Sequence, residues 1–213
     1  MAQSFDIADF LRVEVRPDCL EHAAQVGKPI DGLMAEFGVY KGASITRLAN
    51  RHRKHTIHGF DSWVGLPSAW DRADGPGRDV VGPVMDAGHF SCNGQLPKVP
   101  SNVVLHKGWF EDTIPPFLEQ VRANGKKPFR LLDIDCDIYV STIQILNLCN
   151  DLIVPGTAIY FDELCDWGGS PIRYPLWEKH EYKALLEWMK KHDRSVKALS
   201  RNGAFGGAVT VTI

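Results

Sequence analysis

Five acids stand in two short clusters: Asp133, Asp135 and Asp137 at alternate positions of Leu131-Leu-Asp-Ile-Asp-Cys-Asp137, and the adjacent pair Asp162-Glu163 after Ala158-Ile-Tyr-Phe161. Each cluster follows a short apolar run, which places it at the end of a strand. If the two strands are parallel, their ends share one edge of a sheet, and Asp135, Asp162 and Glu163 converge. Carboxylates so crowded need a cation or raised pKa values to coexist. An all-oxygen set of this kind suits Mg²⁺, Mn²⁺ or Ca²⁺ and not a thiolate metal. Asp135 or Asp137 is also placed to take a proton from a hydroxyl as general base.

A second stretch, Met34-Ala-Glu-Phe-Gly-Val-Tyr-Lys-Gly-Ala-Ser44, reads as a strand, a tight turn and a helix start. Gly38 and Gly42 permit φ > 0 and a close approach of backbone to ligand, and Ser44 is expected to cap the helix that follows. This is not a phosphate-binding Gly-x-x-x-x-Gly-Lys-Ser/Thr loop, because Lys41 precedes the second glycine. Nor is it Gly-x-Gly-x-x-Gly, because Tyr40 stands at the second glycine's place. Asp61 lies roughly twenty residues beyond the turn, where an acid in nucleotide-binding folds accepts hydrogen bonds from ribose hydroxyls. Glu36, at the first strand's end, could face a cationic or hydroxyl-bearing ligand.

The elements that must position these groups follow from apolar periodicity. Residues 1–32 read as helical or irregular. Strands are expected at Leu33–Gly38, Thr56–Phe60, Asn102–Lys107, Phe129–Asp135 and Thr157–Phe161, with helices at Ala43–Arg51, Pro115–Ala123, Ser141–Leu152 and Trp177–His192. Ser195–Leu199 and Ala208–Ile213 flank Arg201-Asn-Gly203, a hairpin signal. Strands alternating with helices predict an α/β fold with a doubly wound, mostly parallel sheet of seven strands and a C-terminal antiparallel hairpin. The long segment from Asp61 to Pro100, rich in Gly, Pro and Asp, is expected to form a lid, with Trp63, Leu66, Trp70 and Phe90 as apolar walls.

The chain has 213 residues and no midway linker, so one domain over residues 1–213 is expected. A formal charge of −2 gives no electrostatic case for nucleic acid or a membrane surface. The basic run Arg51-His-Arg-Lys-His55 fits a solvated helix C-terminus. The start of the chain has no apolar leader and no eighteen apolar residues run together, so a cytoplasmic protein is expected. Five cysteines without a Cys-x-x-Cys pair fit reduced thiols. His52 and His55 could share a helix face, but His58 falls in the next strand, which weakens a histidine metal site.

These motifs together resemble the metal-dependent sugar O-methyltransferases typified by the macrocin, mycinamicin and noviose enzymes of antibiotic biosynthesis, a branch of the class I S-adenosylmethionine (SAM) methyltransferases. The matching pieces are Glu36-Phe-Gly-Val-Tyr-Lys-Gly42, Gly59-Phe-Asp-Ser-Trp-Val-Gly-Leu-Pro67, Lys107-Gly-Trp-Phe-Glu-Asp-Thr113, Asp135-Cys-Asp-Ile-Tyr-Val-Ser-Thr142 and Phe161-Asp-Glu163, in family order across about residues 33–190. The resemblance implies a Rossmann-like fold. It also implies that Glu36, Gly38, Tyr40, Gly42 and Ser44 surround the methionine moiety, Asp61 and Ser62 the ribose, and Trp109 and Phe110 the adenine. It makes Asp135, Asp162 and Glu163 the ligands of Mg²⁺, Ca²⁺ or Mn²⁺, and favours Asp135 over Asp137 as base. The expected partner is a small-molecule hydroxyl acceptor, a sugar or glycoside; a homo-oligomer is compatible with it. His89 and His180 are candidates to assist near the acceptor. Two features depart from the antibiotic enzymes: Asp-Glu stands where those more often have two aspartates, and residues 1–32 are shorter than their helical amino-terminal region.

Two rival readings use part of the pattern. A metal-dependent glycosyl or phosphoryl transferase explains Asp133-Ile-Asp135 but leaves the glycine turn, Asp61 and Asp162-Glu163 unconnected. A non-catalytic SAM-binding protein would not need every acid.

Overall fold

The computed structural model describes residues 5–72, 85–125 and 127–213, and in it eight strands form one sheet. They are β1 (Glu14–Val15), β2 (Leu33–Phe37), β3 (Ile57–Asp61), β4 (Val103–Lys107), β5 (Phe129–Ile134), β6 (Ala158–Phe161), β7 (Val196–Arg201) and β8 (Gly207–Val211). The helices are α1 (Cys19–Val26), α2 (Ala43–Arg51), α3 (Phe110–Ala123), α4 (Tyr139–Cys149) and α5 (Glu181–Lys191). The sheet order is β1-β7-β8-β6-β5-β2-β3-β4, with β8 antiparallel to β6 and β7 and the other pairs parallel. This is the Rossmann-like sheet with its antiparallel hairpin. The expected seven strands gain one, the two-residue β1 beside β7, too short to leave a period in the sequence.

The pleat sorts side chains between two apolar layers. On β2, Ala35 and Phe37 join the layer formed with α3, α4 and α5, around Phe60, Phe117, Leu132, Leu185 and Trp188. Met34 joins the opposite layer of α1 and α2, with Leu20, Ile45, Leu48 and Leu131. A period of two therefore turns Glu36 toward α2, the side of Met34. The strand order reverses between the parallel strands β2 and β5: β3 and β4 lie on one side of this pair and β6 on the other. A ligand crevice is expected outside the carboxyl ends of the strands at such a switch point.

Several element ends differ from the sequence expectation. Helix α3 starts at Phe110, five residues before Pro115, so Pro115 and Pro116 lie inside it. Their missing N–H groups strand the carbonyls of Glu111 and Asp112, both exposed to water, which makes the breach tolerable. The last helix is broken: a 3-10 turn spans Trp177–Lys179 and α5 begins only after His180. The hairpin turn is wider than Asn-Gly suggests, because Asn202 Oδ1 accepts from the N–H groups of Ala204 and Gly206, both at 2.9 Å. The basic run is not merely solvated: Arg51 pairs with Asp18, the N-cap of α1, and His52 Nε2 lies 3.2 Å from Glu21. All five cysteines are free thiols. Among the described residues no helix is long and apolar enough to cross a membrane.

Gly38 ends β2 at φ +95, its N–H donating to the Phe60 carbonyl at 2.9 Å. A Cβ there would sit 1.7 Å from the Asp135 carbonyl oxygen. The glycine is thus demanded by β5 passing beside it. Gly38→Ala is therefore expected to cost about 2 kcal/mol or more in global stability, read as a lower urea midpoint at unchanged m-value. A midpoint equal to that of the unmodified protein would refute this account of the turn.

Candidate active site

The ends of β2, β3, β5 and β6 open onto one cavity of about 460 Å³, within the size range of small-ligand sites. One side carries Gly38, Tyr40, Asp61, Ser62, Trp109 and Phe110. The other carries Asp135, Asp137, Asp162 and Glu163, with Ser141 and Gln144 of α4.

Asp61 organises the first side. Its Oδ2 accepts from the N–H groups of Val39 (2.9 Å) and Tyr40 (2.8 Å), and its Oδ1 from that of Trp63 (2.6 Å). Tyr40 is held at φ +50 and half-exposed, beside the cavity. Trp63, expected as a lid wall, is instead a buried prop: its Nε1–H donates to the Tyr40 carbonyl at 2.8 Å. Ser62 Oγ accepts from the Val64 N–H at 3.2 Å and donates to the Gly65 carbonyl at 3.3 Å.

Three of the nine expected cofactor residues, Glu36, Gly42 and Ser44, stand behind the cavity. Gly42 opens α2 at φ +79 with its open side toward Pro97 and Val99. Ser44 does not cap α2; its hydroxyl donates to Glu36 Oε1 at 2.9 Å, because the pleat turns Glu36 toward the helix. Glu36 is wholly buried, and it lies in register with the buried Asp133 on the next strand. Glu36 Oε2 and Asp133 Oδ2 find no donor among the described residues, and one proton held by Asp133 and shared with Glu36 would satisfy both.

The acid side is anchored by backbone. The N–H of Asp135 donates to the Phe37 carbonyl (2.9 Å) and that of Asp162 to the Ile134 carbonyl (3.0 Å), extending the sheet ladder past its strands. Asp137 sits at φ +65 in a three-residue turn closed by the Ile138 N–H on the Cys136 carbonyl at 2.7 Å. Strain of this kind gathers at functional sites. One oxygen from each of Asp135, Asp137 and Glu163 lies within 4.8 Å of the others. Asp162 borders the cavity but is outside that trio, and its Oδ1 accepts from the Tyr160 hydroxyl at 2.6 Å.

Burial and mutual repulsion lift the acids. Burial, then Asp135, pushes Glu36 up to about 8; burial, then Asp162, pushes Asp137 up to about 7, with Arg72 pulling it back. Burial foremost holds Asp133, Asp135, Glu163 and Glu181 well above the usual carboxyl range. Glu163 Oε2 is buried without a partner among the described residues. An all-oxygen trio with an unsatisfied buried oxygen fits a hard divalent cation.

Of the expected lid, residues 73–84 lie outside the described residues. Leu66 and Phe90 line the cavity as expected; Trp70 instead donates its Nε1–H to the Tyr174 hydroxyl at 3.1 Å. His89 is exposed and touches Phe90 edge-on; His180 Nε2–H donates to the Asp71 carbonyl at 2.9 Å, away from the cavity. Two charged residues escaped the sequence reading. Arg72 is buried among Trp70, Tyr174 and Phe205, its guanidinium 4.8–5.2 Å from the ring centroids, and Glu181 is buried beside Glu163. Only tertiary packing reveals either.

A doubly wound sheet with a glycine turn, an acid at the end of the next strand and a cavity at the switch point forms a nucleotide-type ligand site, and with the family match to a methyltransferase domain it places the chain among the class I SAM-dependent methyltransferases. The chain belongs to the methyltransferase-domain family, whose model matches residues 35–164. A comparison with curated protein sequences finds no match. Among solved structures the chain is similar to CalS11, a calicheamicin methyltransferase, with TM-score 0.64 and 21% identity over 96% of this chain and 79% of that one. It is also similar to the O-methyltransferase NovP, with TM-score 0.60 and 18% identity over 91% and 79%. An apo structure of CalS11, described as a TDP-rhamnose 3'-O-methyltransferase, gives TM-score 0.58 and 19% identity over 96% and 79%. At these identities the likeness establishes the fold. The family match sets aside the glycosyl- or phosphoryl-transfer reading.

In the cation-free protein the raised acids make stability depend on pH. A folded pKa above the ordinary value contributes stability that is complete below the ordinary value and is lost as pH rises through the folded one. For Glu36 that window runs from 4.5 to about 8, and for Asp137 from 3.8 to about 7. His58, held down to about 4 by burial and by His106, acts in the opposite sense only below its ordinary 6.5. Between about pH 6.5 and 8.5 the Tm in EDTA is therefore expected to fall, and Glu36→Gln, which keeps an acceptor for Ser44, should flatten the slope. An unaltered slope in that variant would contradict the raised acid.

Proposed function

We propose that the protein is an O-methyltransferase that moves the methyl group of SAM to a hydroxyl of a sugar or glycoside, with a divalent cation at the acid end of the cavity. The observation that carries this reading is the continuity of one cavity from Asp61 and Tyr40 to Asp135, Asp137 and Glu163. The sugar acceptor is supported by the described activity of CalS11.

SAM, when bound, supplies a methyl already activated on a sulfonium, so the chain's own task is to line up an acceptor oxygen with it. Gly38 and Tyr40 would hold the methionine moiety, Asp61 and Ser62 the ribose hydroxyls, and Trp109 and Phe110 the adenine. Glu36, Gly42 and Ser44 would support that turn from behind. Leu66 and Phe90, from the proposed lid, would exclude water from the transfer. Asp135 and Glu163 would be the principal cation ligands, with Asp137 or the remaining oxygen of Asp162 closing the set. A divalent cation there would supply Lewis acidity that lowers the pKa of an acceptor hydroxyl. Asp135 or Asp137 would take the proton.

Calorimetry should give S-adenosylhomocysteine binding in the micromolar range, about −7 to −8 kcal/mol, and unchanged in EDTA. Asp61→Ala, which removes the carboxylate that accepts from three backbone N–H groups, should weaken it at least roughly tenfold (about 1.4 kcal/mol). Normal affinity in that variant would move the cofactor elsewhere.

Methyl transfer to a panel of nucleotide-linked and free sugars should be lost in EDTA and return with Mg²⁺. Asp135→Asn and Asp162→Asn should each lower turnover on the order of a hundredfold. Full turnover in EDTA would end the cation-assisted reading and leave an aspartate base alone.

A further inference from the structure

We propose that Glu181 is a positioning residue that fixes the Glu163 arm of the cation site through the backbone of Glu163. The inference rests on the cation reading given above. Glu181 is the first residue of α5 and is wholly buried, yet it does not line the cavity and is not one of the acids that approach one another there. Its Oε2 accepts a hydrogen bond from the N–H of Glu163 at 3.0 Å. Its Oε1 is buried without a partner among the described residues. The positive end of the α5 dipole offsets part of the cost of burying an acid there.

Glu163 needs such a support more than the other acids do. Asp135 and Asp162 are tied by their own N–H groups to the sheet ladder, and Asp137 is closed into its turn. Glu163 follows the end of β6, and its N–H goes to the Glu181 side chain instead. Glu181 is itself anchored by its neighbour. His180 donates Nε2–H to the Asp71 carbonyl at 2.9 Å, its ring stacks on Tyr174 with centroids 6.0 Å apart, and its carbonyl accepts from the Ala184 N–H at 3.0 Å. Partners behind a ligand typically govern metal affinity about 10- to 100-fold.

The test compares Glu181→Ala with Glu181→Gln, which keeps an oxygen for the Glu163 N–H. Mn²⁺ binding is read from the electron paramagnetic resonance signal of the unbound ion, S-adenosylhomocysteine binding by calorimetry, and exchange of the Glu163 amide proton by nuclear magnetic resonance. Glu181→Ala should weaken Mn²⁺ at least about tenfold and speed Glu163 amide exchange, while Glu181→Gln stays close to the unmodified protein and both bind S-adenosylhomocysteine normally. Equal losses of Mn²⁺ in the two variants would overturn the hydrogen-bond role in favour of charge. If the unmodified protein binds no Mn²⁺, the cation reading and this role both fail, even where the amide exchange still reports the clamp. If Mn²⁺ binds but Glu163 exchanges alike in all three proteins, this role alone is overturned. Loss of S-adenosylhomocysteine binding in Glu181→Ala would mark a general structural role and also count against it.

Discussion

Negative charge crowded at the carboxyl ends of three adjacent strands is the constraint to which the rest of the site answers. Glu36 on β2, Asp133 and Asp135 on and after β5, and Asp162 and Glu163 after β6 all fall at the switch point, with Asp137 and Glu181 beside them. Water cannot dilute most of this charge, because Glu36, Asp133, Asp137 and Glu181 are buried. The fold holds it by protons that burial keeps on the acids and by the guanidinium of Arg72 near Asp137, and the proposed cation between the oxygens of Asp135, Asp137 and Glu163 would be a third means. Such an arrangement costs stability near neutral pH. Proteins retain costs of that sort at functional sites.

The opposite side of the cavity is built on a different economy. Asp61 spends its carboxylate on three backbone N–H groups, locking the Val39-Tyr40 turn to the end of β3. Trp63 then props the Tyr40 carbonyl from within the core. The turn is thus shaped before any ligand arrives, so little ordering remains to be done on binding. The lone pairs of Asp61 not used by the turn are free for the ribose contact proposed above.

The sheet, its order of helices and strands and its hairpin were legible because apolar period and turn residues were consistent along the chain. The Gly38–Gly42 turn and the helix Ala43–Arg51 came out residue for residue. Errors arose where tertiary context decides. Ser44 looked like a cap, but the pleat brings Glu36 to its hydroxyl. Trp63 and Trp70 looked like lid walls, but both are buried and do not line the cavity, their Nε1–H groups taken by the Tyr40 carbonyl and the Tyr174 hydroxyl. Helix α3 starts before its prolines because the chain leaves β4 directly into it. Glu181 and Arg72 had no local signature, since neither belongs to a motif and each gains its place only when distant segments pack.

The acids also differ in how firmly they are held, and this bears on chemistry. Asp135 and Asp162 continue the hydrogen-bonded ladder by one residue, so their main chains share the rigidity of the sheet. Asp137 is fixed in a positive-φ turn that leads straight into α4. Glu163 has a longer side chain, one more rotatable bond and no ladder partner for its N–H. Of the four acids at the proposed site, three have main chains held by the sheet or a closed turn, and the fourth, Glu163, has its N–H held by the Glu181 side chain. Preorganised dipoles and charges act most strongly when nothing has to move as charge develops. Asp135, its main chain in the sheet ladder, and Asp137, in its closed turn, therefore suit the proton-accepting step proposed above, and the longer Glu163 side chain suits a ligand's place beside Asp135.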